Sequence, residues 1–314
     1  HIGNYLGAIR NWVIQQDEYD SVFCIVNLHA LTLPTDPVQL RENTITMANT
    51  ILAAGIDPER CVLFVQGDLT EHAEGCWLLN SVTQYGELRR MTQFKDKSGK
   101  DEESVSAALF DYPVLQAADI LLYDADLVPV GEDQRQHIEL TRDIAIRFNA
   151  RYGETFVLPA ADIKKEGAKI MALDEPQKKM SKSSASVGSY IALTDTADEI
   201  ARKIKRAVTD SGGEIRPSED KPAITNLLTI HSLFSGKSFA DLEAHFEGKG
   251  YGALKTEVAE VVVEGLRPIQ DRFNALQADP VHAEQILRDG ADRARAISGP
   301  KVQEMRQKMG IARQ

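Results

Sequence analysis

The sequence predicts an α/β fold in which a parallel sheet carries helices on both faces, followed by a helical C-terminal part. Three observations lead to this prediction. Strand-like and helix-like segments alternate through the first two-thirds of the 314 residues, and after about Leu193 only helical periodicity remains. Apolar residues make up 43% of the chain, which is enough to bury the cores of the two domains that the length suggests.

The first four elements alternate between helix and strand. Apolar residues recur every three or four positions from Ile2 to Val13, and two later runs are short, apolar and rich in β-branched residues. Asp36-Pro37 and Gly55 are typical start and stop signals for the helix between them. We therefore expect a helix at residues 2–13, a strand at 21–27, a helix at 40–54 and a strand at 61–66.

The middle of the chain is less regular. Residues from about 70 to 106 resemble an insertion between two halves of the sheet, and we expect Trp77 in the core. Strand-like runs resume at Ile120–Tyr123 and Leu127–Val130, and a helix is expected from about Gln134 to Asn149.

The last third of the chain predicts helices alone. Pro268 is expected to kink or end one of them. The predicted domains are an α/β domain at residues 1–192, with the insertion at about 70–106, and a helical domain at 193–314. The segments with helical periodicity are about 196–208, 224–234, 239–246 and 254–266.

The composition excludes a membrane-spanning protein, because no segment approaches the ~20 consecutive apolar residues of a transmembrane helix. The three cysteines lack the spacing of a disulfide framework or a zinc site, and they predict small core residues in a reducing compartment. The net charge of −11 argues against indiscriminate nucleic-acid binding, although residues 285–314 hold seven basic and three acidic residues. The chain begins at His1 without an initiator Met or a visible targeting segment, so we expect that a front piece has been removed or left out.

Lys179-Met-Ser-Lys-Ser183 is the most specific motif. Two lysines and two hydroxyls lie within five residues, and Ser184, Ser186 and Gly188 follow, so we expect a mobile loop. The lysines can place flexible positive charge on phosphate oxygens as a reaction proceeds, and the hydroxyls add donors. The alternative is a solvated basic loop, but a chance match to one specified pentapeptide has a frequency on the order of 10⁻⁴ in such a chain.

His1-Ile-Gly-Asn4 opens the first predicted helix. Gly3 allows a ligand to approach the backbone, and the helix N-terminus attracts an anion. Asn4 can cap the helix or donate, and His1 can donate to a phosphate. The motif is weak alone, since an ordinary helix start has the same composition.

Gly131-Glu-Asp-Gln134 follows a predicted strand and precedes a helix, at the sheet edge where ligands bind in open α/β folds. An acidic side chain there suits ribose hydroxyls, and Gly131 permits close packing of a nucleoside. The alternative is a plain turn in which Glu132 and Asp133 serve the helix dipole.

Asp119 is a carboxylate within an apolar segment, so it needs a specific partner, either a ligand N–H or a neighbouring arginine. His29 follows the first predicted strand and lies at the same sheet edge. A lone histidine there is either a structural side chain or a ligand contact.

Together these residues resemble the class I aminoacyl-tRNA synthetases, and in detail the bacterial-type tryptophanyl-tRNA synthetases, over essentially the whole chain. The resemblance rests on the HIGH-like start, the complete KMSKS motif and several further runs. The run from Val128 to Asp143 separates this family from tyrosyl-tRNA synthetase. The further runs are Tyr85–Leu88, Met91–Lys95, Asp119–Tyr123, Val128–Gln134, His137–Asp143 and Leu266–Gln270.

The resemblance implies a Rossmann-like, doubly wound catalytic domain and a helical tRNA- and anticodon-binding domain. It implies a homodimer, in the cytoplasm or an organellar matrix, that activates L-tryptophan with Mg²⁺-ATP and charges tRNA(Trp), without dedicated protein ligands for the metal and without a membrane or DNA partner.

The resemblance also implies roles for individual residues. Asp119 would accept the indole N–H, Ile170 would contact adenine through its backbone, and the catalytic residues Lys179, Lys182 and Ser183 would neutralise the leaving pyrophosphate. The implied ATP-binding residues are His1, Gly3, Asn4, Lys97, Gly131, Glu132, Asp133, Ile170, Lys179, Met180, Ser181, Lys182 and Ser183. The implied tryptophan-binding residues are Asp119, Tyr112, Gln116, Gln134, His29, Ile120, Val128 and Val130.

Two departures from the family pattern stand out. Asn4 replaces the second histidine of HIGH, and the strand and Gly-rich turn expected before His1, with their ATP and tryptophan contacts, are absent from the sequence. The alternatives are a tyrosyl-tRNA synthetase, a smaller HIGH-type nucleotidylyltransferase, or a non-catalytic paralogue that binds tRNA or senses tryptophan. The basic C-terminal residues would contact tRNA phosphates or form a solvated helix face; they are Arg288, Arg293, Arg295, Lys301, Arg306 and Lys308.

Overall fold

The computed structural model describes residues 1–92, 106–163, 169–182, 184 and 186–312. These residues form two compact units. Each unit is made of three separate segments of the chain. The predicted boundary between functional domains at residues 192 and 193 stays a prediction. The helical unit comprises His1–Tyr19, Asn49–Ile56 and Glu166–Asp279, and the sheet unit comprises Asp20–Ala48, Asp57–Lys165 and Pro280–Gln314.

Four short strands form the sheets of the sheet unit: β1 (Val22–Ile25), β2 (Val62–Val65), β3 (Leu127–Pro129) and β4 (Ala160–Asp162). β1 pairs with β2 and β3 pairs with β4, in both cases in parallel. The parallel pairing agrees with the predicted fold class. The described strands nevertheless form two two-stranded sheets rather than one. The sequence could not predict this, because apolar patterning indicates where strands lie but not which strands pair.

The helices alternate with these strands and then continue alone, as predicted. The first helix, α1, consists of the contiguous segments Ile2–Asn4, the π-helical turn Tyr5–Ile9 and Arg10–Gln15. The later helices are α2 (Pro37–Ala54), α3 (Thr70–Asn80), α4 (Tyr85–Arg90), α5 (Ala107–Leu121), α6 (Arg135–Tyr152), α7 (Ala197–Arg206), α8 (Pro222–Ser235), α9 (Phe239–Phe246), α10 (Tyr251–Ala278) and α11 (Pro280–Lys308). None of the described helices is both long and apolar enough to span a membrane.

Three predictions in the middle of the chain were wrong, and one of the two alternatives at Pro268 is excluded. Ile120–Tyr123 is the end of α5 and the turn after it, since four apolar residues fit a buried helical turn as well as a strand. The stretch predicted as irregular begins with the helices α3 and α4, and Trp77 on α3 is 76% exposed. The helix α10 does not end at Pro268, because the buried side chains of Ile269 and Phe273 pack its next turns into the core.

The long helix α11 lies directly on β2. A Cβ atom placed on Gly290 would be 1.8 Å from the backbone oxygen of Leu63, so the helix can approach the strand only through a glycine. On either side of this contact, Ala291 and Ala294 pack into a small core with Val62 and Phe64. Small residues on one face of α11 therefore set the distance between helix and strand.

Most of the basic residues of α11 bond to other segments of the sheet unit. Arg293 donates to the carbonyl oxygens of Pro58 and Cys61, and Lys301 donates to that of Thr155. The other four basic side chains bond to carbonyl or carboxylate oxygens of the same unit: Arg288, Arg295, Arg306 and Lys308. The two alternatives for this face, tRNA binding and a solvated face, both stay predictions.

Candidate active site

Asp119 lies near the end of α5, and three side chains from other elements hold its carboxylate. The Asp119 side chain is 10% exposed. Its Oδ1 accepts from Gln66 Nε2 at 2.6 Å and lies 2.7 Å from His72 Nδ1, whereas Oδ2 lies 2.7 Å from His29 Nε2. Burial raises the pKa of this carboxyl, but the hydrogen bonds to the two histidines outweigh it, so the pKa lies below its ordinary value. The result is a buried, ionised carboxylate.

The parallel pairing of β1 and β2 brings two of these side chains to one sheet edge. His29 begins the short 3-10 helix that follows β1, and Gln66 begins the one that follows β2. Gln66 Oε1 also accepts from Leu28 N at 3.0 Å, which ties the two loops together. Both loops therefore lie at the carboxyl ends of parallel strands, where open α/β folds bind ligands.

His72 and Gln66 are site residues that sequence reasoning missed. Gln66 carried a usable signal, since it follows a predicted strand directly. His72 carried none, because a single histidine in the first turn of α3 fits many structural roles. The structure shows His72 fully buried, with Nε2 2.8 Å from the hydroxyl of Tyr123.

The predicted tryptophan-binding residues all lie in the sheet unit. The Tyr112 hydroxyl is 2.8 Å from His137 Nε2, and its ring stands edge-on to His29 with centroids 6.2 Å apart. Gln116 Nε2 donates to Gln134 Oε1 at 3.4 Å. The other members of the predicted set are buried or half-buried: Ile120, Val128 and Val130.

The turn Gly131–Gln134 follows β3 as expected. A side chain on Gly131 would displace that of Asp133, whose Oδ1 would lie 2.6 Å from the added Cβ. Asp133 Oδ2 accepts from Gln134 Nε2 at 2.8 Å. Glu132 forms two hydrogen bonds with Arg135, at 2.6 and 2.9 Å, which lower the pKa of the exposed Glu132 carboxyl. Both acidic residues therefore have local partners in addition to their predicted nucleotide role.

The start of α1 packs against the segment that carries Ile170. His1, rather than Asn4, caps the helix, because His1 Nδ1 accepts from Asn4 N at 3.3 Å. A Cβ on Gly3 would lie 3.0 Å from the His1 ring and 3.6 Å from Ile170 Cβ. Two predicted ATP-binding segments, the HIGH-like start and the strand-like segment at Ile170, are therefore in contact.

The first part of the KMSKS motif belongs to a hairpin, whereas the sequence predicts a loop throughout. Met171 and Lys179 form an antiparallel bridge, and Met180 N donates to the carbonyl oxygen of Ile170 at 3.0 Å. Ile170 and Met180 are buried in one core with Ile2, whereas Lys179 and Lys182 are exposed. Met180 thus anchors the motif, and both lysines face solvent. The composition of the segment did not predict that its apolar residue is buried while the lysines around it are exposed.

The segment after the motif is held by the helices of the same unit. Ile191 O accepts from Ile2 N at 2.9 Å. Gln270 Nε2, from the Leu266–Gln270 run, donates to Leu193 O and Asp195 O, both at 2.9 Å. Buried Lys203 lies 2.6 Å from Asp195 Oδ2. This segment therefore connects α1 to α7 and α10.

The predicted site residues are divided between the two units. The tryptophan set and Gly131, Glu132 and Asp133 lie in the sheet unit. Lys97 and Ser183 lie outside the described residues. The helical unit holds His1, Gly3, Asn4, Ile170, Lys179, Met180, Ser181 and Lys182.

These features are those of a class I aminoacyl-tRNA synthetase: a parallel α/β fold, polar side chains at the carboxyl ends of its strands, and a KMSKS motif on a hairpin. Residues 1–267 match the model of the family described as "tRNA synthetases class I (W and Y)", and the chain belongs to this family.

Several tryptophan–tRNA ligases are similar to the chain over nearly its full length. The tryptophan–tRNA ligase of Caldanaerobacter subterraneus is 54% identical over 99% of this chain and 94% of the relative. That of Wolinella succinogenes is 51% identical over 99% of this chain and 95% of the relative. The crystal structure of the Campylobacter jejuni tryptophanyl-tRNA synthetase, complexed with ADP and tryptophan, is 37% identical, with a TM-score of 0.87 over 99% of this chain and 96% of the other.

Proposed function

We propose that the protein activates L-tryptophan with ATP to form tryptophanyl-adenylate and pyrophosphate, and then transfers tryptophan to tRNA(Trp) with release of AMP. The observation that carries this proposal is the buried, ionised Asp119 at the sheet edge, a hydrogen-bond acceptor suited to an indole N–H. The names of the similar proteins and the tryptophan and ADP in the Campylobacter jejuni structure support it.

The chemistry needs positioning and charge stabilisation rather than an activated protein nucleophile. The tryptophan carboxylate is already an anion, and it attacks the α-phosphorus of ATP while pyrophosphate leaves. The terminal ribose hydroxyl of tRNA then attacks the adenylate carbonyl. The leaving pyrophosphate accumulates negative charge, so exposed, flexible lysines are the side chains that this step requires.

On the tryptophan side, Asp119 accepts the indole N–H. Tyr112, Gln116 and Gln134 orient the amino and carboxylate groups. The hydrogen bond between Gln116 and Gln134 supports a shared role for these two amides. The indole ring is lined by Ile120, Val128, Val130 and His29.

On the ATP side, the hairpin lysines Lys179 and Lys182, with Ser183, neutralise the pyrophosphate, and Lys97 contacts the phosphates. Ile170 contacts adenine through its backbone. In this proposal Mg²⁺ arrives with ATP and is held by its phosphates. The remaining contacts are made by His1, Gly3, Asn4, Met180, Ser181 and, at the ribose, Gly131, Glu132 and Asp133.

The working form in this proposal is a cytoplasmic homodimer, with residues 193–314 contributing to tRNA and anticodon binding. Two large aromatic side chains of the sheet unit support a subunit interface. Trp77 on α3 is 76% exposed and Tyr85 on α4 is 68% exposed, and exposed aromatic residues are enriched at interfaces.

Amino-acid-dependent exchange of pyrophosphate with ATP tests the proposal. We expect exchange with tryptophan and at least a 100-fold lower kcat/KM with tyrosine, because the phenol places its O–H donor at a different position from the indole N–H. Preference for tyrosine would instead identify a tyrosyl-tRNA synthetase. Tryptophan binding without any exchange would identify a non-catalytic paralogue.

A further inference from the structure

We infer that His72 and Tyr123 are positioning residues that fix the Asp119 carboxylate and thereby set specificity for the indole N–H. The inference rests on the proposed function and adds two residues to its tryptophan site. Both residues act through Asp119.

The two oxygens of Asp119 have different surroundings. Oδ1 is held by two donors, Gln66 Nε2 at 2.6 Å and His72 Nδ1 at 2.7 Å, and the His72 side chain is 0% exposed. Oδ2 faces His29, whose side chain is 18% exposed. Rotation of the carboxylate would break both buried hydrogen bonds to Oδ1. Oδ2 is therefore kept toward the more accessible side, where a ligand N–H can reach it.

Tyr123 fixes the tautomer of His72. The phenol hydroxyl lies 2.8 Å from His72 Nε2. If Tyr123 O–H donates to Nε2, His72 Nδ1–H donates to Asp119, and all three groups are satisfied. The His72 ring also packs against Phe64 and Tyr123, with centroids 5.5 and 5.6 Å away. Packing and hydrogen bonding thus hold the ring in a single orientation.

A fixed acceptor discriminates between ligands that differ by one N–H. Tryptophan and its β-(3-benzothienyl)alanine analogue have nearly the same shape, but sulfur replaces the indole N–H in the analogue. A rigid Asp119 strongly favours tryptophan, because the analogue leaves the buried acceptor unpaired. A carboxylate that can rotate loses part of this preference.

The test measures kcat/KM for both amino acids in pyrophosphate exchange. For His72→Phe, which keeps a ring but removes both nitrogens, we expect the ratio of tryptophan to analogue to fall about 10- to 100-fold, with the KM for ATP unchanged. His72→Asn keeps an N–H donor close to the Nδ1 position, and its ratio should equal that of the unmodified protein within measurement error. Tyr123→Phe, which removes one hydroxyl, should lower the ratio about threefold.

His231→Phe is the matched control. His231 is also 0% exposed and pairs with a carboxylate, Glu257 Oε1 at 3.1 Å, but it lies in the helical unit. This variant should lose stability without a change in the ratio.

Several outcomes would overturn the inference. A His72→Phe protein that loses activity on both amino acids equally would show that His72 has a structural role only. If His72→Phe does not fold, an unchanged ratio in Tyr123→Phe decides against the inference. Failure of the unmodified protein to activate tryptophan would instead contradict the proposed function itself.

Discussion

At the scale of single residues, burial sorts the charged groups of the site into two kinds. Asp119 is buried and has a fixed partner at each oxygen, as expected for a group that recognises a neutral N–H. Lys179 and Lys182 are exposed, as expected for groups that act on a highly charged phosphate only during the reaction. The groups proposed for recognition and for charge stabilisation thus differ in burial.

Lys182→Ala tests the leaving-group role. The missing charge affects a transition state in which pyrophosphate departs, so we expect kcat of exchange to fall about 100-fold with the KM for tryptophan unchanged. Lys178→Ala is the control, because Lys178 is an exposed lysine of the same hairpin that pairs with Glu175. A loss confined to the KM for tryptophan would contradict this role.

At the scale of elements, close helix contacts depend on small side chains and on a few buried polar pairs. The contact between α11 and β2 depends on Gly290, and that among α8, α9 and α10 includes Glu257, which accepts from His231 and His245. Neither contact could be predicted from the sequence. A glycine within a helical pattern argues against a helix and does not by itself indicate close packing. Histidine–carboxylate pairs whose members lie far apart in the chain leave no spacing pattern in the sequence.

Gly290→Ala should destabilise the protein by about 2 kcal/mol or more, because the new Cβ would collide with the strand backbone and force the helix away. Denaturant unfolding followed by circular dichroism measures the change. Gly252→Ala in α10, where a Cβ meets no atom within 4 Å, should be neutral or stabilising by about 0.5–1 kcal/mol. Equal effects of the two substitutions would contradict the close contact.

The lowered pKa of the Glu257 carboxyl predicts that the stability of the protein depends on pH. Burial raises the pKa of this carboxyl, but the hydrogen bonds to His245 and His231 outweigh it, so the folded pKa lies below the unfolded value of about 4.3. The ionised form therefore stabilises the fold fully above about pH 4.3, and this contribution is lost as the pH falls through the folded pKa.

Melting temperatures between pH 3 and 7 test this prediction. We expect Glu257→Gln to be less stable than the unmodified protein at pH 6 and the difference to shrink toward pH 3. The control, Glu260→Gln, changes an exposed carboxylate on the same helix. A difference that grows as the pH falls would have the wrong sign.

At the scale of the whole molecule, the sequence predicted the parallel α/β class, most helices and the local motifs, because these depend on periodicity and on short spacings. It missed the interleaving of the two compact units along the chain. It also placed Trp77 in the core, since hydrophobicity alone does not distinguish a buried residue from an exposed one. His72 was missed because its role exists only through Asp119 and Tyr123, which lie 47 and 51 residues away.

Because Trp77 is exposed and supports the proposed dimer interface, a charged residue at this position is expected to weaken the dimer. Trp77→Glu should shift the protein toward monomer in sedimentation velocity, because a charge would be buried in an apolar interface. Val281→Glu, at a side chain that is also 76% exposed in the sheet unit, should leave the sedimentation coefficient unchanged. A protein that is already monomeric, or a dimer that Trp77→Glu does not weaken, would rule out this interface.

The proposed specificity depends above all on Asp119 accepting a hydrogen bond from the indole N–H of tryptophan. A crystal structure of the protein with bound tryptophan tests it most directly. We expect the indole nitrogen within about 3 Å of Asp119 Oδ2, with His29 moved to make room and the bonds from Gln66 and His72 to Oδ1 intact. Tryptophan bound elsewhere, or bound beside Asp119 with its nitrogen turned away, would contradict the claim.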